Sequence, residues 1–216
     1  MDAPTRVLTT IDHQEPDKVP YFESTFTNNA IATHFGMKSR GLGPFLKLVR
    51  FLPFRHAMMH AALSSKRLIA PVMFGIARFY KAAGIDVVPT ISVLFPRKLV
   101  KNGFIDEFGR HMRFEYYKDG TEVIGYVGGH FSSFEDYESW ELPDPAWNIR
   151  TNTFQAGLDA QEKLGNQVMA IAGVTGMMEV TWEGFGIERF ARLLRRRKAA
   201  KKVFDDRGKF SVELVK

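Results

Sequence analysis

The chain has 216 residues, of which 45% are hydrophobic and 25% charged, with a formal net charge of +6. This composition is that of a globular protein and excludes a disordered or collagen-like chain. No apolar run approaches the ~18 residues that cross a bilayer, and the N-terminus lacks the apolar core of a signal peptide. Cysteine is absent, which excludes disulfides, zinc–thiolate sites and a cysteine nucleophile. We therefore expect a cytoplasmic protein without a membrane span.

Most of the positive charge lies in one stretch. Between Arg189 and Lys202 there are eight basic residues and no acidic one. A cationic helix face of this kind attracts nucleic acid or anionic lipid. The same pattern is typical of a solvated helix face, or of a face that pairs with acidic residues outside this chain. Nothing in the stretch indicates specific nucleic-acid recognition.

The first predicted elements are a short helix and a strand. The helix covers Arg6–Asp12, and a turn-rich segment separates it from the strand at Val19–Glu23. Pro20 lies near the start of this strand, where a missing N–H is tolerated. A polar loop and a short helix are predicted over Thr25–Gly36.

The next stretch, Gly41–Ala83, is long, apolar and basic. Pro44, Pro53 and Pro71 are predicted to divide it into two or three helices. Residues 45–54 have the pattern of a membrane-surface helix, with core helices packed on a sheet as the alternative.

A second buried strand is predicted at residues 85–90, directly after a helix that ends near Gly84. The pattern then changes. Met112–Tyr117 and Glu122–Val127 are rich in β-forming residues, and Asp119-Gly120 between them is a strong hairpin signal. We therefore predict an antiparallel insertion over about residues 91–131.

The last third of the chain is predicted to alternate helix, strand and helix. Ile149–Leu164 has helical spacing, and residues 167–173 form a short apolar run that indicates a third buried strand. Gly173 and Gly176 allow a sharp turn after it, Gly184 and Gly186 are predicted to interrupt the next segment, and a further helix is predicted from Ile187. The alternation of strands and helices predicts a parallel α/β fold.

Six stretches, taken in order along the chain, resemble the uroporphyrinogen decarboxylase superfamily, which includes the corrinoid-dependent methyltransferases. They are Arg6–Leu8, Glu15–Pro20, Ala83–Asp86, Asp106–Arg110, Trp140–Pro145 and Ala172–Phe190. The resemblance extends over essentially all 216 residues and is carried by the ordered set of stretches. It implies a single domain that is part of a TIM (β/α)8 barrel, roughly the first three βα units. Such a chain is incomplete at its C-terminal end.

In this superfamily the pocket lies at the C-terminal ends of the barrel strands. The resemblance therefore places the substrate-pocket candidates of this chain at Glu23, Thr90, Glu179 and Trp182. Glu183, four residues after Glu179, also falls at the expected rim. We assign no catalytic residue from the sequence.

The decarboxylase branch fits these residues poorly. The resemblance implies substrate-gripping arginines after the first strand, a pocket aspartate after the second and a tyrosine near the third. Residues 23–34 contain no arginine, Pro89–Leu94 offers only Thr90 and Ser92, and Val180–Trp182 contains no tyrosine. Decarboxylation in tetrapyrrole biosynthesis therefore remains the alternative to methyl transfer.

The methyltransferase branch implies a zinc ion and a cobalamin-carrying partner protein, with a small molecule as the second substrate. Its zinc ligands are expected in the later part of the barrel. We therefore expect no cofactor to be bound by this chain alone. A second polypeptide, or self-association of the chain, is expected to cover the open sheet edge. A non-enzymatic module that binds an anionic partner through residues 189–202 is the alternative from another class.

Two further groups of residues were weighed for chemistry. His56 and His60 are spaced one helical turn apart, which suits zinc, but no acidic ligand accompanies them within the helix. His111 and Glu115 are spaced to share one face of a hairpin strand, next to the acidic pair Asp106 and Glu107. This second group is consistent with acid–base chemistry and equally with a structural ion-pair cluster.

Overall fold

The computed structural model describes residues 1–23, 33–35, 61, 64–90, 92–118 and 120–216. This part of the chain is a mixed α/β structure with a parallel sheet and a separate four-stranded antiparallel sheet. The predicted α/β class is confirmed at this level. Over the ranges just given, the strands do not close into a barrel.

The helices are α1 (Ala3–Ile11), α2 (Lys66–Ala82), α3 (Phe134–Glu138), α4 (Asn148–Lys163), α5 (Met177–Phe185), α6 (Ile187–Arg195) and α7 (Arg197–Val215). The strands are β1 (Val87–Thr90), β2 (Pro96–Val100), β3 (Gly103–Asp106), β4 (Arg110–Tyr116), β5 (Glu122–Gly129) and β6 (Met169–Ala172).

The parallel sheet consists of β1 and β6 with a single bridge on the other side of β1. Val87 of β1 lies opposite Met169 of β6, and Phe22 forms an isolated parallel bridge to Val87. The three segments thus lie side by side in chain order. Their C-terminal ends meet at one edge of the sheet because all three run in the same direction.

Helices α2 and α4 cover one face of this sheet. Val88 of β1 is buried with Met73 of α2 and Ala156 of α4. The close approach of α4 depends on Gly157, because a Cβ there would lie 2.5 Å from the Thr90 methyl group. Side chains alternate along a strand, so Val87 and Pro89 face away from the helices.

The antiparallel sheet has the order β2-β3-β4-β5 and lies between β1 and α4 in the chain. The predicted hairpin is confirmed, because β4 and β5 pair antiparallel with Phe114 opposite Ile124. Its turn is closed by a hydrogen bond from the Tyr117 N–H to the Thr121 carbonyl. The insertion contains two more strands than the hairpin signal indicated.

Helices α5, α6 and α7 pack against the end of β5. Phe185, Phe190 and Val203 share a buried cluster with Phe131, which follows β5. Gly129 makes this contact possible, because a Cβ there would lie 2.3 Å from the Phe185 backbone.

Three predictions about secondary structure were wrong. Only the bridge at Phe22 represents the strand predicted over Val19–Glu23. Pro71 lies inside α2 instead of ending it. Proline has no N–H, so the Arg67 carbonyl loses its helical hydrogen-bond donor. Both residues are exposed, so water can solvate that carbonyl. Helix α5 was not predicted, because Gly184 was interpreted as an interruption.

Several predictions concern residues outside the described ranges. They are most of the loop and helix of Thr25–Gly36, the divisions at Pro44 and Pro53, the helix at residues 45–54, the His56 and His60 pair, and Asp119 of the hairpin turn.

A buried ionic network joins the N-terminal residues to the start of β1. The Arg6 guanidinium lies 2.5 Å from Asp86 Oδ1 and 2.7 Å from Asp17 Oδ1. The other Asp86 oxygen accepts a hydrogen bond from the Tyr21 N–H. Hydrogen bonds from Arg6 hold the pKa of Asp17 well below its usual range. Asp86 therefore fixes α1 and the Tyr21–Phe22 segment on the N-terminal side of the sheet.

We expect Asp86→Ala to destabilise the fold strongly, because it leaves the buried Arg6 charge without its closest partner. Breaking a buried pair in this way costs about 3–5 kcal/mol. Asp12→Ala, at an exposed position after α1, should change the free energy of unfolding by no more than about 0.5 kcal/mol. Urea unfolding of the two variants checks this, and equal midpoints would contradict the structural role of Asp86.

Candidate functional site

Two of the four pocket candidates lie at the ends of neighbouring parallel segments. Glu23 follows the Phe22 bridge and is half-buried, and its carbonyl accepts a hydrogen bond from the Tyr80 hydroxyl at 3.1 Å. Burial, together with the charge of Glu23, raises the pKa of Tyr80 to about 12. Thr90 ends β1, and its hydroxyl donates to the Ile171 carbonyl at 2.9 Å. The Thr90 methyl group faces Gly157, so this side chain belongs to the helix-covered face of the sheet.

The other two candidates, Glu179 and Trp182, lie together on α5. Glu179 is in the first turn and is exposed, whereas Trp182 is half-buried. The Trp182 ring packs edge-on against Tyr126 of β5, with 5.5 Å between the ring centres. The Tyr126 hydroxyl donates to the Glu183 carbonyl at 3.0 Å, which ties α5 to the antiparallel sheet.

Arg110 is the centre of the polar cluster beneath these two residues. Its Nε lies 2.6 Å from Asp106 Oδ2, and its Nη1 lies 2.7 Å from Glu183 Oε2. Nη1 is also 3.9 Å from Glu179 Oε1 at the solvent side. Burial acts to lower the pKa of Arg110, but the Asp106 and Glu183 carboxylates outweigh it and raise the pKa. Arg110 thus brings Glu179 and Glu183 to the antiparallel sheet as a partly open carboxylate pair.

A second buried ion pair lies beside the first. Arg150 of α4 contacts both carboxylate oxygens of Glu107 and donates to the Ser92 carbonyl at 2.6 Å. Glu107 also accepts a hydrogen bond from the Leu94 N–H, and its carbonyl accepts one from the Trp140 indole. These contacts fix the segment between β1 and β2, so the turn after β1 is held by charge as well as by packing.

Arg207 of α7 is the most deeply buried cation of the described ranges. Its guanidinium lies over the rings of Phe108 and Tyr137 and donates to the Phe108 carbonyl at 3.2 Å. Its Nε and Nη1 have no hydrogen-bond acceptor among the described residues. Burial lowers the pKa of Arg207, and the aromatic faces supply part of the stabilisation that water would give.

His111 and His130 form a close pair on the same sheet. Their Nε2 and Nδ1 atoms are 3.4 Å apart, and the His130 ring lies 4.9 Å from that of Trp140. Burial lowers the pKa of both imidazoles. Glu115, which was predicted to share a strand face with His111, pairs instead with Arg113 at 2.7 Å. The acid–base grouping of His111 with Glu115 is therefore not formed.

A surface cleft of about 470 Å³ lies at the opposite end of the parallel sheet. Its lining includes Arg6, Lys18 and Asp86, together with residues of the turn before β6. It is separate from the predicted pocket, because it lies at the N-terminal ends of the strands. In parallel α/β folds this end is associated with stability and the other end with chemistry.

The sequence did not identify Arg110, Arg150 or Arg207 as site residues. The first two are partners of Asp106 and Glu107, which were identified as an acidic pair. Two adjacent acidic residues at the end of an otherwise apolar strand indicate that cations must lie nearby, because a buried carboxylate needs a charged partner. This signal could have found a requirement for arginine, but not which arginines meet it.

No group of three or more histidine, aspartate or glutamate side chains suited to a metal is formed within the described part of the chain. In the same ranges, no helix combines the length and the apolar character needed to cross a bilayer.

Comparison with known proteins gave no match to a protein-family model, a curated protein or a solved structure. The arrangement of this chain's own side chains is therefore the basis for any functional assignment.

The two glutamates of α5 give a matched test of the Arg110 cluster. We expect Glu183→Gln to lower the free energy of unfolding by about 2 kcal/mol, because it removes the buried carboxylate charge that pairs with the Arg110 guanidinium. Glu179→Gln should change it by less than about 0.5 kcal/mol, since that side chain is exposed and more distant. Equal losses in chemical denaturation would show that Glu183 is not the principal partner.

Proposed function

We propose that this chain is the first part of a (β/α)8 barrel of the uroporphyrinogen decarboxylase superfamily, on the corrinoid-dependent methyltransferase branch. The observation that carries the proposal is the order of the parallel segments. Phe22, β1 and β6 lie side by side in chain order, with α2 and α4 on one face. The first three βα units of a barrel have this arrangement.

The face of the sheet opposite α2 and α4 supports the same proposal. Pro89, Met169 and Ile171 point away from the helices and are only half-buried. In a closed barrel these positions fill the interior together with side chains from the remaining strands. Further βα units on the outer edge of β6 would complete that interior.

The roles proposed for this chain are binding and positioning. Glu179 and Trp182 project from α5, which follows β6 by a four-residue turn at the pocket end. The Trp182 ring offers a flat apolar surface, and the Glu179 carboxylate, 3.9 Å from Arg110, offers an acceptor for a polar group of the substrate. Glu23 is the third rim residue. The zinc ligands and the corrinoid partner are assigned to other parts of the complete enzyme, as the resemblance implies.

The open edge of β6 gives the first test. In a parallel pair of strands, successive N–H groups point alternately towards and away from the partner strand, so those of Ala170 and Ala172 point away from β1. The Ala170 N–H donates a hydrogen bond to Gln161 Oε1 at 2.9 Å. Ala172→Pro removes the second donor without touching the pairing with β1. We expect the unmodified chain to associate in sedimentation experiments and the proline variant to associate at least tenfold more weakly.

Gln155→Ala, on the exposed side of α4, serves as the control and should associate as the unmodified chain does. A chain that sediments as a monomer at every concentration, alone and with additional βα units, would refute the partial barrel.

The chemistry is tested separately on the complete enzyme, reconstituted by co-expression with the βα units that associate with this chain. With methylcobalamin, a thiol and zinc chloride, we expect loss of the methyl–cobalt absorption band. Trp182→Ala should lower kcat/KM by about tenfold or more, because it removes the largest rim contact. Leu194→Ala, an exposed apolar residue of α6, should leave kcat/KM unchanged. A complete barrel that leaves methylcobalamin intact but decarboxylates uroporphyrinogen would favour the alternative branch.

A second candidate function rests on the basic face of α6 and α7. Lys201 and Lys202 pair with Asp205 and Asp206, and Arg196 pairs with Glu135 at 3.0 Å. Within the described ranges, four exposed cations of the same two helices form no salt bridge: Arg192, Arg195, Arg197 and Lys198.

Two of these cations are also unfavourably placed for helix stability. Arg197 and Lys198 lie in the first turn of α7, which contains no acidic residue. Positive charge at a helix N-terminus opposes the helix dipole by about 0.3–1 kcal/mol per residue. Such placement supports a role in binding an anion, which would remove the repulsion.

The test is the salt dependence of binding to a labelled duplex DNA. Replacing the four exposed cations by glutamine should reduce the slope of log affinity against log salt by about three to four, because each phosphate contact contributes about 0.9. The control is Lys201→Gln with Lys202→Gln, since these residues are already paired. A loss in the two-charge control that is half that of the four-charge variant, and so equal per charge removed, would mean that net charge, and not this face, governs binding.

A further inference from the structure

The two histidines of the antiparallel sheet share one hydrogen bond that depends on their protonation. His111 lies in β4, and His130 directly follows β5. The His111 Nε2 and His130 Nδ1 atoms face each other at 3.4 Å. A neutral imidazole has one N–H donor and one acceptor nitrogen, whereas a protonated imidazole has two donors and no acceptor. The bond therefore exists only while at least one of the two rings is neutral.

The backbone brings the two rings together. The strand register shifts between His111 and Met112, and a bulge of this kind re-aims the neighbouring side chain. Gly128, which lies opposite His111, has no side chain to separate the rings. The His130 N–H donates to the Gly109 carbonyl at 2.8 Å, which fixes the backbone at that end. The half-buried side chains are therefore the parts of the pair that can separate.

A cation from the next strands opposes protonation of both rings. Lys98 of β2 lies in the same cross-strand row as His111, with Ile105 of β3 between them. Burial and the charge of Lys98 lower the pKa of His111. Burial, the neighbouring His111 and Lys98 together lower the pKa of His130. A second proton on the pair is thus opposed by the first proton and by Lys98.

Two carboxylates act in the opposite sense without reversing these shifts. Asp106 of β3 acts to raise the pKa of His111, and Asp136 of α3 acts to raise that of His130. Asp106 already pairs with the Arg110 guanidinium at 2.6 Å, and Asp136 is exposed to solvent. The charges around the pair therefore favour the neutral rings.

Trp140 connects the histidine pair to the rest of the sheet. The His130 ring lies 4.9 Å from that of Trp140, and the Arg97 guanidinium lies 4.8 Å from the Trp140 ring centre. Arg97 is paired with Glu141, so its charge is largely balanced. The indole N–H donates to the Glu107 carbonyl at 3.1 Å. A movement of the His130 ring therefore changes the packing of the segment that follows α3.

We propose that His111 and His130 form a pH-sensitive switch that holds Trp140 to the antiparallel sheet. At neutral pH one imidazole donates to the other, and the His130 ring packs against Trp140. When both rings are protonated, two N–H donors and two positive charges face each other, so the rings separate and the contact with Trp140 is lost. The switch is independent of the proposed methyl transfer and of the open edge of β6.

NMR of the chain labelled with 13C in its histidine and tryptophan rings tests the switch directly. We expect a nuclear Overhauser effect between the His130 and Trp140 rings at about pH 7 that disappears by about pH 5. His111→Gln should retain the effect at the lower pH, because a protonated His130 then faces a neutral amide. In the same variant His130 should titrate at a higher pH, since the repulsion from His111 is removed.

The charge of Lys98 gives a matched pair of variants. Lys98→Gln should raise the pH at which the contact is lost, because it removes a charge that opposes protonation. Lys101→Gln, at an exposed position in the turn after β2, should leave that pH unchanged. Equal shifts in the two variants would mean that overall charge, and not Lys98, acts on the pair, which would contradict the proposed arrangement.

The pH dependence of stability gives a second measurement. The lowered pKa values mean that the folded chain binds fewer protons than the unfolded chain, so stability falls as the pH drops below about 6.5. Between pH 7 and 5 we expect the equilibrium constant for urea unfolding to rise about tenfold more in the unmodified chain than in His111→Gln. His13→Gln, at an exposed position, should keep the pH dependence of the unmodified chain.

Circular dichroism at each pH separates the switch from global unfolding. Loss of the contact between His130 and Trp140 only when the whole chain unfolds would overturn the proposal. A contact that persists after both rings are protonated would do the same, as would a His130 that titrates at one pH with and without His111.

Discussion

Buried pairing between arginine and carboxylate is the constraint on which the rest of this structure depends. Arg6 meets Asp86 across 80 residues of chain, Arg110 meets Glu183 across 73, and Arg150 meets Glu107 across 43. A buried pair contributes little net stability, but a single lost partner is costly. These pairs therefore select one arrangement of the elements over others.

The same pairs explain why the stretches that resemble the decarboxylase superfamily occur together. Arg6 and Asp86 belong to the first and third of these stretches, and Arg110 and Glu183 belong to the fourth and last. Trp140, from the fifth, donates to the Glu107 carbonyl. These residues of the resembling stretches thus position backbone segments in this chain. Under the proposed function, the substrate contacts come from residues of the same stretches that face solvent, chiefly Glu179 and the half-buried Trp182.

Sequence reasoning succeeded where a local signal determines the local structure. Asp119-Gly120 between β-rich runs predicted the β4–β5 hairpin, and helical spacing predicted α4 to within a residue at each end. It failed where tertiary contacts decide. Gly184 was interpreted as a break, yet it lies inside α5. Glycine is needed there because a Cβ would come within 2.6 Å of the Phe108 carbonyl oxygen. Periodicity alone cannot distinguish a glycine that ends a helix from one that lets a helix pack closely.

For the candidate site, the sequence predicted which residues line the rim of the pocket but not how their side chains are arranged. Glu179 and Trp182 were each predicted to line the pocket after the third strand, and both lie on α5. Thr90 was chosen because it ends a strand, but the alternation of side chains turns it towards Gly157. The arginine partners could not be predicted, because their separations of 43 to 80 residues leave no local pattern.

The hydrogen bond between Gln161 and the Ala170 N–H has a consequence for how the chain behaves as its concentration changes. The Gln161 side chain takes the place that a strand carbonyl would have in a sheet, so a strand that pairs with Ala170 must first displace it. A hydrogen bond of this type is worth about 1 kcal/mol, which corresponds to roughly a fivefold shift in an equilibrium constant. Loss of this bond would therefore weaken the addition of a strand to this edge by about the same factor. Through Gln161, helix α4 thus protects the outer edge of β6 against the addition of another strand.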